Sequence, residues 1–239
     1  MGRWQAVVFD LDDTLFPERD YVLSGFRAVA AWAQAHLDIP AEVGFLELGN
    51  LFAQGVRGDT FDRWLALHSL EPDELVPTLV HVYRGHRPIL APYAEVPGVL
   101  AALRRHYRLG LVSDGPLAVQ QAKLHALGLG ACFDAIVFCD QWGPEAWKPS
   151  TRPFRVALRR LQVSPSQAVY VGDNPIKDFI GARRAGLASV RIQRPTGEYG
   201  AQVPPTPEHA PDLTIGSLTE LEQALEDLEE HVDHPNVFT

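Results

Sequence analysis

The sequence predicts an α/β protein, a parallel sheet with helices on both faces and a block of helices inserted near its start. Three observations predict it. A short apolar run, Ala6-Val7-Val8-Phe9, leads directly into Asp10-Leu11-Asp12-Asp13. The following stretch, to residue 94, shows helical periodicity and no strand pattern. From residue 96 onward, β-branched apolar runs alternate with helical ones, as in a sheet built of βα units. The expected division is a sheet-bearing core of residues 1–16 and 95–239 with a helical insertion of residues 17–94.

Ala6–Phe9 reads as a strand buried on both faces, because apolar residues follow one another without alternation. From Tyr21 the spacing of Val22, Phe26, Val29, Ala33 and Leu37 marks one face of an amphipathic helix, which Pro40 ends. A second helix carries Val43, Leu46, Leu51 and Phe52 and stops near Gly55 to Gly58. Asp59 or Thr60 is placed to cap a third, with Phe61, Trp64, Leu65 and Leu67. Pro72 opens a fourth, with Leu75, Leu79, Val80 and Tyr83 on its apolar side. The segment from His86 to Pro92, with prolines at both 88 and 92, reads as the return hinge.

The alternation then begins. A helix at Val96–Arg105 precedes a strand at Leu109–Val112, which ends at Ser113-Asp114-Gly115. A helix over Leu117–Leu127 stops at Gly128, a C-cap glycine. A strand at Ala135–Cys139, a helix at Pro153–Leu161 and a strand at Ala168–Val171 follow, the last running into Gly172-Asp173-Asn174. Another helix, ending near Gly186, leads to a strand at Ala188–Ile192. The five prolines in the stretch from Arg194 to Pro211, the last included, predict an irregular surface loop. Ser217-Leu218-Thr219-Glu220 is a capping box opening a last helix. His231 and His234, three apart, pose a choice between metal binding and a frayed terminus.

Composition narrows the function classes. With 46% hydrophobic and 21% charged residues the chain is an ordinary globular one. A net charge of −9 argues against a nucleic-acid polymer as partner. No apolar stretch is long enough to span a bilayer, so no membrane partner is expected. Asp10 interrupts the first apolar run, and Ala6 stands where a myristoylation signal needs Ser or Thr. Cys132 and Cys139 have neither zinc nor redox spacing, and Cys139 reads as a buried free thiol. Together these features lead to the expectation of a cytoplasmic protein.

Polar clusters fall at the ends of the strands, where open α/β sheets place their sites. Asp10, Asp12 and Asp13 crowd the first strand end. At an effective dielectric near 20, two such charges about 4 Å apart repel by roughly 4 kcal/mol. A bound Mg²⁺ relieves that repulsion and lets a carboxylate approach a phosphate. The second strand supplies Ser113, with the backbone N–H groups of Asp114 and Gly115. Lys148 follows in Trp147-Lys148-Pro149, and the fourth strand supplies Asp173 and Asp178 in the spacing G-D-x-x-x-x-D. Each cluster alone is weak, and their order and placement are far more specific.

This order, D-L-D-D-T at 10–14, Ser113, Lys148 and G-D-N-P-I-K-D at 172–178, resembles the haloacid dehalogenase superfamily, in its phosphatase rather than its dehalogenase branch. The resemblance implies a Rossmann-like core with a helical cap inserted after the first strand. It implies Mg²⁺-dependent hydrolysis of a small phosphorylated metabolite, of the sugar-phosphate or nucleotide class, through an aspartyl-phosphate. It implies Asp10 as nucleophile and Asp12 as general acid and base. Ser113, Asp114 and Lys148 would hold the phosphate. Asp10, the main-chain carbonyl of Asp12, and Asp173 would hold the metal, with Asp178 in support. The alternatives are a mutase or a dehalogenase on the same fold, or a receiver-like or binding protein without catalysis. Within the helical block, Arg57 in the turn Gln54–Asp59 is the candidate specificity residue, against a solvated surface arginine.

Overall fold

The computed structural model describes residues 2–233, with side chains described to residue 230, so the side chains of His231 and His234 lie outside what is described. Strand β1 (Ala6–Phe9) is followed by four helices, α1 (Glu18–His36), α2 (Ala41–Ala53), α3 (Thr60–Leu67) and α4 (Pro72–Gly85). Then come α5 (Val96–Leu103), β2 (Arg108–Ser113), α6 (Leu117–Leu127), β3 (Ala135–Phe138), α7 (Arg152–Leu161) and β4 (Ala168–Gly172). The chain continues with α8 (Asp178–Ala185), β5 (Ala188–Ile192), β6 (Leu213–Ile215) and α9 (Leu221–Asp233). The fold divides into two compact units, one of Met1–Glu18 with Ala91–Thr239 and one of Arg19–Leu90.

The larger unit is built on a parallel six-stranded sheet in the order β3-β2-β1-β4-β5-β6. All four residues of β1 are fully buried, as its unbroken apolar run requires between two neighbours. Its register sets Phe9 beside both Leu111 of β2 and Val171 of β4. The chain leaves β1 toward opposite sides to reach β2 and β4, which makes the carboxyl end of β1 the topological switch point of the sheet. One further ladder bond, from Asp10 N to Val171 O at 2.8 Å, carries the strand geometry into the first carboxylate. On one face of the sheet Val8, Val112, Val137, Phe154, Leu158 and Tyr170 form a continuous core.

In the helical unit, Phe26, Val29, Leu48, Trp64, Leu65 and Leu79 make a core of their own. Of the apolar residues that marked the second helix, Val43 and Leu46 are 42% and 61% exposed, and Gly44 and Leu48 are the buried pair of α2. A glycine is used because Trp64 lies only 3.0 Å from where its Cβ would stand. Asp59 sits at the N-cap of α3 without capping it, since its carboxylate pairs instead with Arg63 at 2.7 Å.

In the larger unit the edge strand β6 was not expected. Three residues are too few to show an alternation. Helix α1 opens at Glu18 rather than Tyr21, because a first turn of Glu18, Arg19 and Asp20 carries no apolar signal. Cys139 begins a 3₁₀ turn, Cys139–Trp142, instead of ending β3. The capping box at Ser217 is formed, opening a 3₁₀ turn, Leu218–Glu220, that leads into α9. Between 195 and 211 the only regular piece is the 3₁₀ turn Pro207–His209. Among the described residues, no helix is long and apolar enough to cross a membrane.

Candidate active site

The carboxyl ends of β1, β2 and β4 bring the expected groups of the larger unit together. Lys148 is buried at the centre, its Nζ 2.8 Å from Asp10 Oδ1 and 2.8 Å from Asp178 Oδ1. It also donates to the hydroxyl of Tyr170, on β4, at 2.9 Å. A buried ammonium between two carboxylates keeps its proton, and its affinity for it is raised further by Asp10 and Asp178 against the cost of burial. The second oxygen of Asp178 accepts from Asn174 N at 3.0 Å. Gly172 leaves room for that carboxylate, because a Cβ there would stand 2.5 Å from Asp178 Oδ2. The G-D-x-x-x-x-D spacing is thus also a packing requirement.

Asp10, Asp173 and Asp178 each offer a carboxylate oxygen, and these lie within 4.8 Å of one another. Burial, offset by Lys148, raises the Asp10 carboxyl to about 7. Burial and the neighbouring Asp178, Asp10 and Asp13 push Asp173 well above the usual carboxylate range. Three buried hard-oxygen donors with excess negative charge fit a divalent cation such as Mg²⁺.

Ser113 is fully buried, and its Oγ accepts from Gln120 Nε2 at 2.7 Å. The Asp114 side chain has partners of its own, apart from the backbone N–H expected to meet phosphate. Its carboxylate accepts from Lys148 N at 3.1 Å and pairs with Lys177 Nζ at 2.8 Å, so the side chain holds the Lys148 main chain and the Lys177 ammonium. Burial alone would raise the Asp114 carboxyl, but Lys148 and Lys177 hold it below its ordinary value. The backbone N–H groups at 114 and 115 remain the candidate phosphate donors.

Asp12 has neighbours that the sequence reading missed. Lys123 Nζ stands 2.6 Å from its Oδ1, and Gln120 Nε2 stands 2.7 Å from its Oδ2. Both come from α6, where they occupy the buried stripe of Val119, Gln120, Lys123, Leu124 and Leu127. A lysine and a glutamine inside an otherwise apolar stripe were a legible signal. Glu18 is 3.7 Å from the same Nζ. Burial, with Asp12 adding to it, raises the Glu18 carboxyl to about 7. Asp10, Asp12, Glu18, Asp173, Lys177 and Tyr199 are among the walls of one cavity of about 150 Å³.

Arg57 belongs to the helical unit. Its guanidinium donates to the carbonyls of Phe52 at 2.8 Å and Val56 at 2.9 Å and lies over the Phe52 ring. This cation satisfies carbonyls at the end of α2.

Residues 4–186 match the family model described as haloacid dehalogenase-like hydrolase. A glyceraldehyde 3-phosphate phosphatase from Methanopyrus kandleri is 35% identical over 232 residues, covering 94% of this chain and 98% of that protein. A pyrimidine 5'-nucleotidase from Escherichia coli is 27% identical, covering 93% of this chain and 98% of that protein. In structure, a HAD-hydrolase from Bacillus subtilis bound to magnesium superposes with a TM-score of 0.68 at 21% identity, over 93% of this chain and 99% of that one. With the family model spanning most of the chain and a relative this similar along nearly its whole length, the protein belongs to the haloacid dehalogenase-like hydrolases.

Proposed function

We propose that the protein is a Mg²⁺-dependent phosphatase that cleaves small phosphomonoesters by way of an aspartyl-phosphate on Asp10. The observation that carries this reading is the buried Lys148 between Asp10 and Asp178, beside the Asp173 carboxylate. A fixed carboxylate beside a fixed positive charge supports phosphoryl transfer with Asp10 as the nucleophile. The names of the relatives, a glyceraldehyde 3-phosphate phosphatase and a nucleotidase, support a small phosphorylated metabolite of the sugar-phosphate or nucleotide class.

In the first step an Asp10 oxygen forms a bond to phosphorus as the ester P–O bond breaks. Asp12 gives its proton to the departing alkoxide, which is otherwise a poor leaving group. In the second step Asp12 takes a proton from the water that attacks phosphorus. The acyl-phosphate bond breaks, phosphate leaves and Asp10 is restored. Lys148, Ser113 and the N–H groups at 114 and 115 hold the phosphoryl oxygens, and Asp178 orients Lys148. Lys177, braced by Asp114, adds a second positive charge to the cavity wall. Mg²⁺, held by Asp10, Asp173 and the main-chain carbonyl of Asp12, would supply charge neutralisation for the approaching dianion. None of these groups lies in the helical unit.

The test is hydrolysis of p-nitrophenyl phosphate and glyceraldehyde 3-phosphate with and without Mg²⁺, by wild type and Asp10→Asn. An amide cannot form the acyl-phosphate, so Asp10→Asn is expected to lose turnover while keeping its fold by circular dichroism. Near-normal turnover by that variant would overturn the reading.

A further inference from the structure

The proline-rich segment after β5 has no part in the chemistry above, yet it is tied to the cavity. Glu198 N donates to Asp13 Oδ2 at 2.8 Å, while Asp13 Oδ1 accepts from Glu18 N at 2.9 Å. Asp13, in the left-handed region at φ 51°, therefore clamps two parts of the cavity rim. Arg191, buried on β5, donates to the carbonyl of Tyr199 at 2.7 Å. Gly200 N bonds back to Gly197 O at 3.1 Å, in a turn with no room for a Cβ at Gly200. At the other end of the turn, the Arg194 guanidinium pairs with Glu95 at 2.7 Å and lies over the Tyr93 ring. The backbone is fixed on both sides of one half-buried side chain, Tyr199, which lines the cavity with Asp10, Asp12, Glu18 and Lys177.

A phenol adds a particular chemistry to these walls. The lysines at 148 and 177 already supply the positive charge that a phosphate needs, and the carboxylates supply the nucleophile and the metal ligands. Burial raises the Tyr199 phenol against the pull of Lys177, with Glu18 adding to the rise, so it stays neutral near neutral pH. A neutral phenol offers one donor and one acceptor on a rigid arm, which suits an alcohol better than a phosphate or a cation.

We propose that Tyr199 is a specificity-determining residue, its hydroxyl hydrogen-bonding a hydroxyl on the carbon chain beside the phosphate ester. The cavity then favours short hydroxylated phosphomonoesters over bare alkyl phosphates of the same length. This rests on the phosphatase reading and assigns part of substrate selection to the sheet-bearing unit itself.

The experiment compares kcat/KM for glycerol 3-phosphate and n-propyl phosphate, with Mg²⁺, for the full-length wild type and Tyr199→Phe. The wild type is expected to prefer the glycerol ester. Tyr199→Phe, which keeps the ring, is expected to lower the ratio of the two values about ten-fold. An unchanged ratio, whether both rates fall or neither does, overturns the assignment. Should the wild type hydrolyse neither these esters nor p-nitrophenyl phosphate or glyceraldehyde 3-phosphate, the phosphatase reading fails. Where it leaves both the glycerol and the propyl ester intact, calorimetric binding of those two to the Mg²⁺-treated protein decides on Tyr199 alone. A binding preference that Tyr199→Phe narrows supports it, and one that is absent or unmoved overturns it.

Discussion

Lys123 Nζ lies 2.6 Å from Asp12 Oδ1, joining two residues 111 positions apart in the chain. The lysine side chain is 5% exposed and the aspartate 19%, so the ion pair is formed largely out of water. Gln120, one turn earlier on α6, holds the other Asp12 oxygen and Ser113 Oγ with one amide nitrogen. Asp12 and Ser113, the proposed proton-transfer and phosphate-holding groups, are thereby fixed to one helix face.

Lys123→Met keeps the stem of the side chain and removes the charge. Loss of a charged hydrogen bond on a part-buried partner is expected to cost about 1.5–3 kcal/mol of stability. Activity on an alkyl phosphate should fall by about 10–100-fold, the range for a misplaced supporting group. Chemical denaturation and kcat/KM measure the two effects separately. Unchanged kinetics in a folded variant would mean that Lys123 serves stability alone.

Asp12→Ala should show an uneven loss. An aryl phosphate needs little acid to expel its leaving group, so its phosphorylation step is slowed less than that of a sugar phosphate. General acid–base assistance is worth about 10²–10⁴-fold. Because the base is missing too, aspartyl-phosphate should accumulate and appear in rapid-quench mass spectrometry. Equal slowing of both substrates without a trapped intermediate would count against the role.

Chelation and reloading test the carboxylate cluster. EDTA-treated wild type is expected to lose turnover and regain it with Mg²⁺. The metal should also raise the melting temperature, by an amount equivalent to about 2.7 kcal/mol at a hundred times its Kd. Asp173→Asn removes one buried charge and should shrink that thermal shift. A shift as large as in wild type would exclude Asp173 from the site.

The pH dependence of stability tests Glu18. Its carboxyl is raised to about 7 in the folded protein, against an ordinary glutamate value of about 4.3 in the unfolded chain. Below the lower value both states are protonated, and the raised carboxyl contributes its full share of stability. As pH climbs toward 7 the unfolded chain gives up its proton first, and that contribution is lost. The side chain is 37% exposed, so the loss is smaller than for a fully buried group. Glu18→Gln should flatten the fall in melting temperature between about pH 4.5 and 7. An identical profile in the variant would mean that Glu18 does not titrate as described.

Much of this protein is written in local sequence. The unbroken apolar run of β1 with three carboxylates at its end, the glycine stop at Gly128 and the capping box at Ser217 each depend on neighbours a few positions away. So does the strand–helix alternation, and with it the parallel sheet. Those local rules were enough to place Asp10, Ser113 and Asp173 at strand ends, because a strand's direction fixes which end carries the next residue.

What they left undecided depends on which strands and helix faces meet. Lys123 and Gln120 reach Asp12 only because β2 lies beside β1 and delivers α6 to the same end of the sheet. Asp114 entered the expected site through its backbone N–H, and its side chain's hold on the Lys148 main chain and the Lys177 ammonium appears only once those two segments converge on it. Tyr199 sits in a stretch whose prolines forbid regular structure, and its position is set by Asp13, 185 residues before Glu198, and by Arg191. A contact across such a separation leaves no periodic trace in the chain. Local sequence determined the elements and the order of the chemical groups; tertiary packing alone decided which side chains hold those groups in place, because long-range pairing is a property of the assembled sheet.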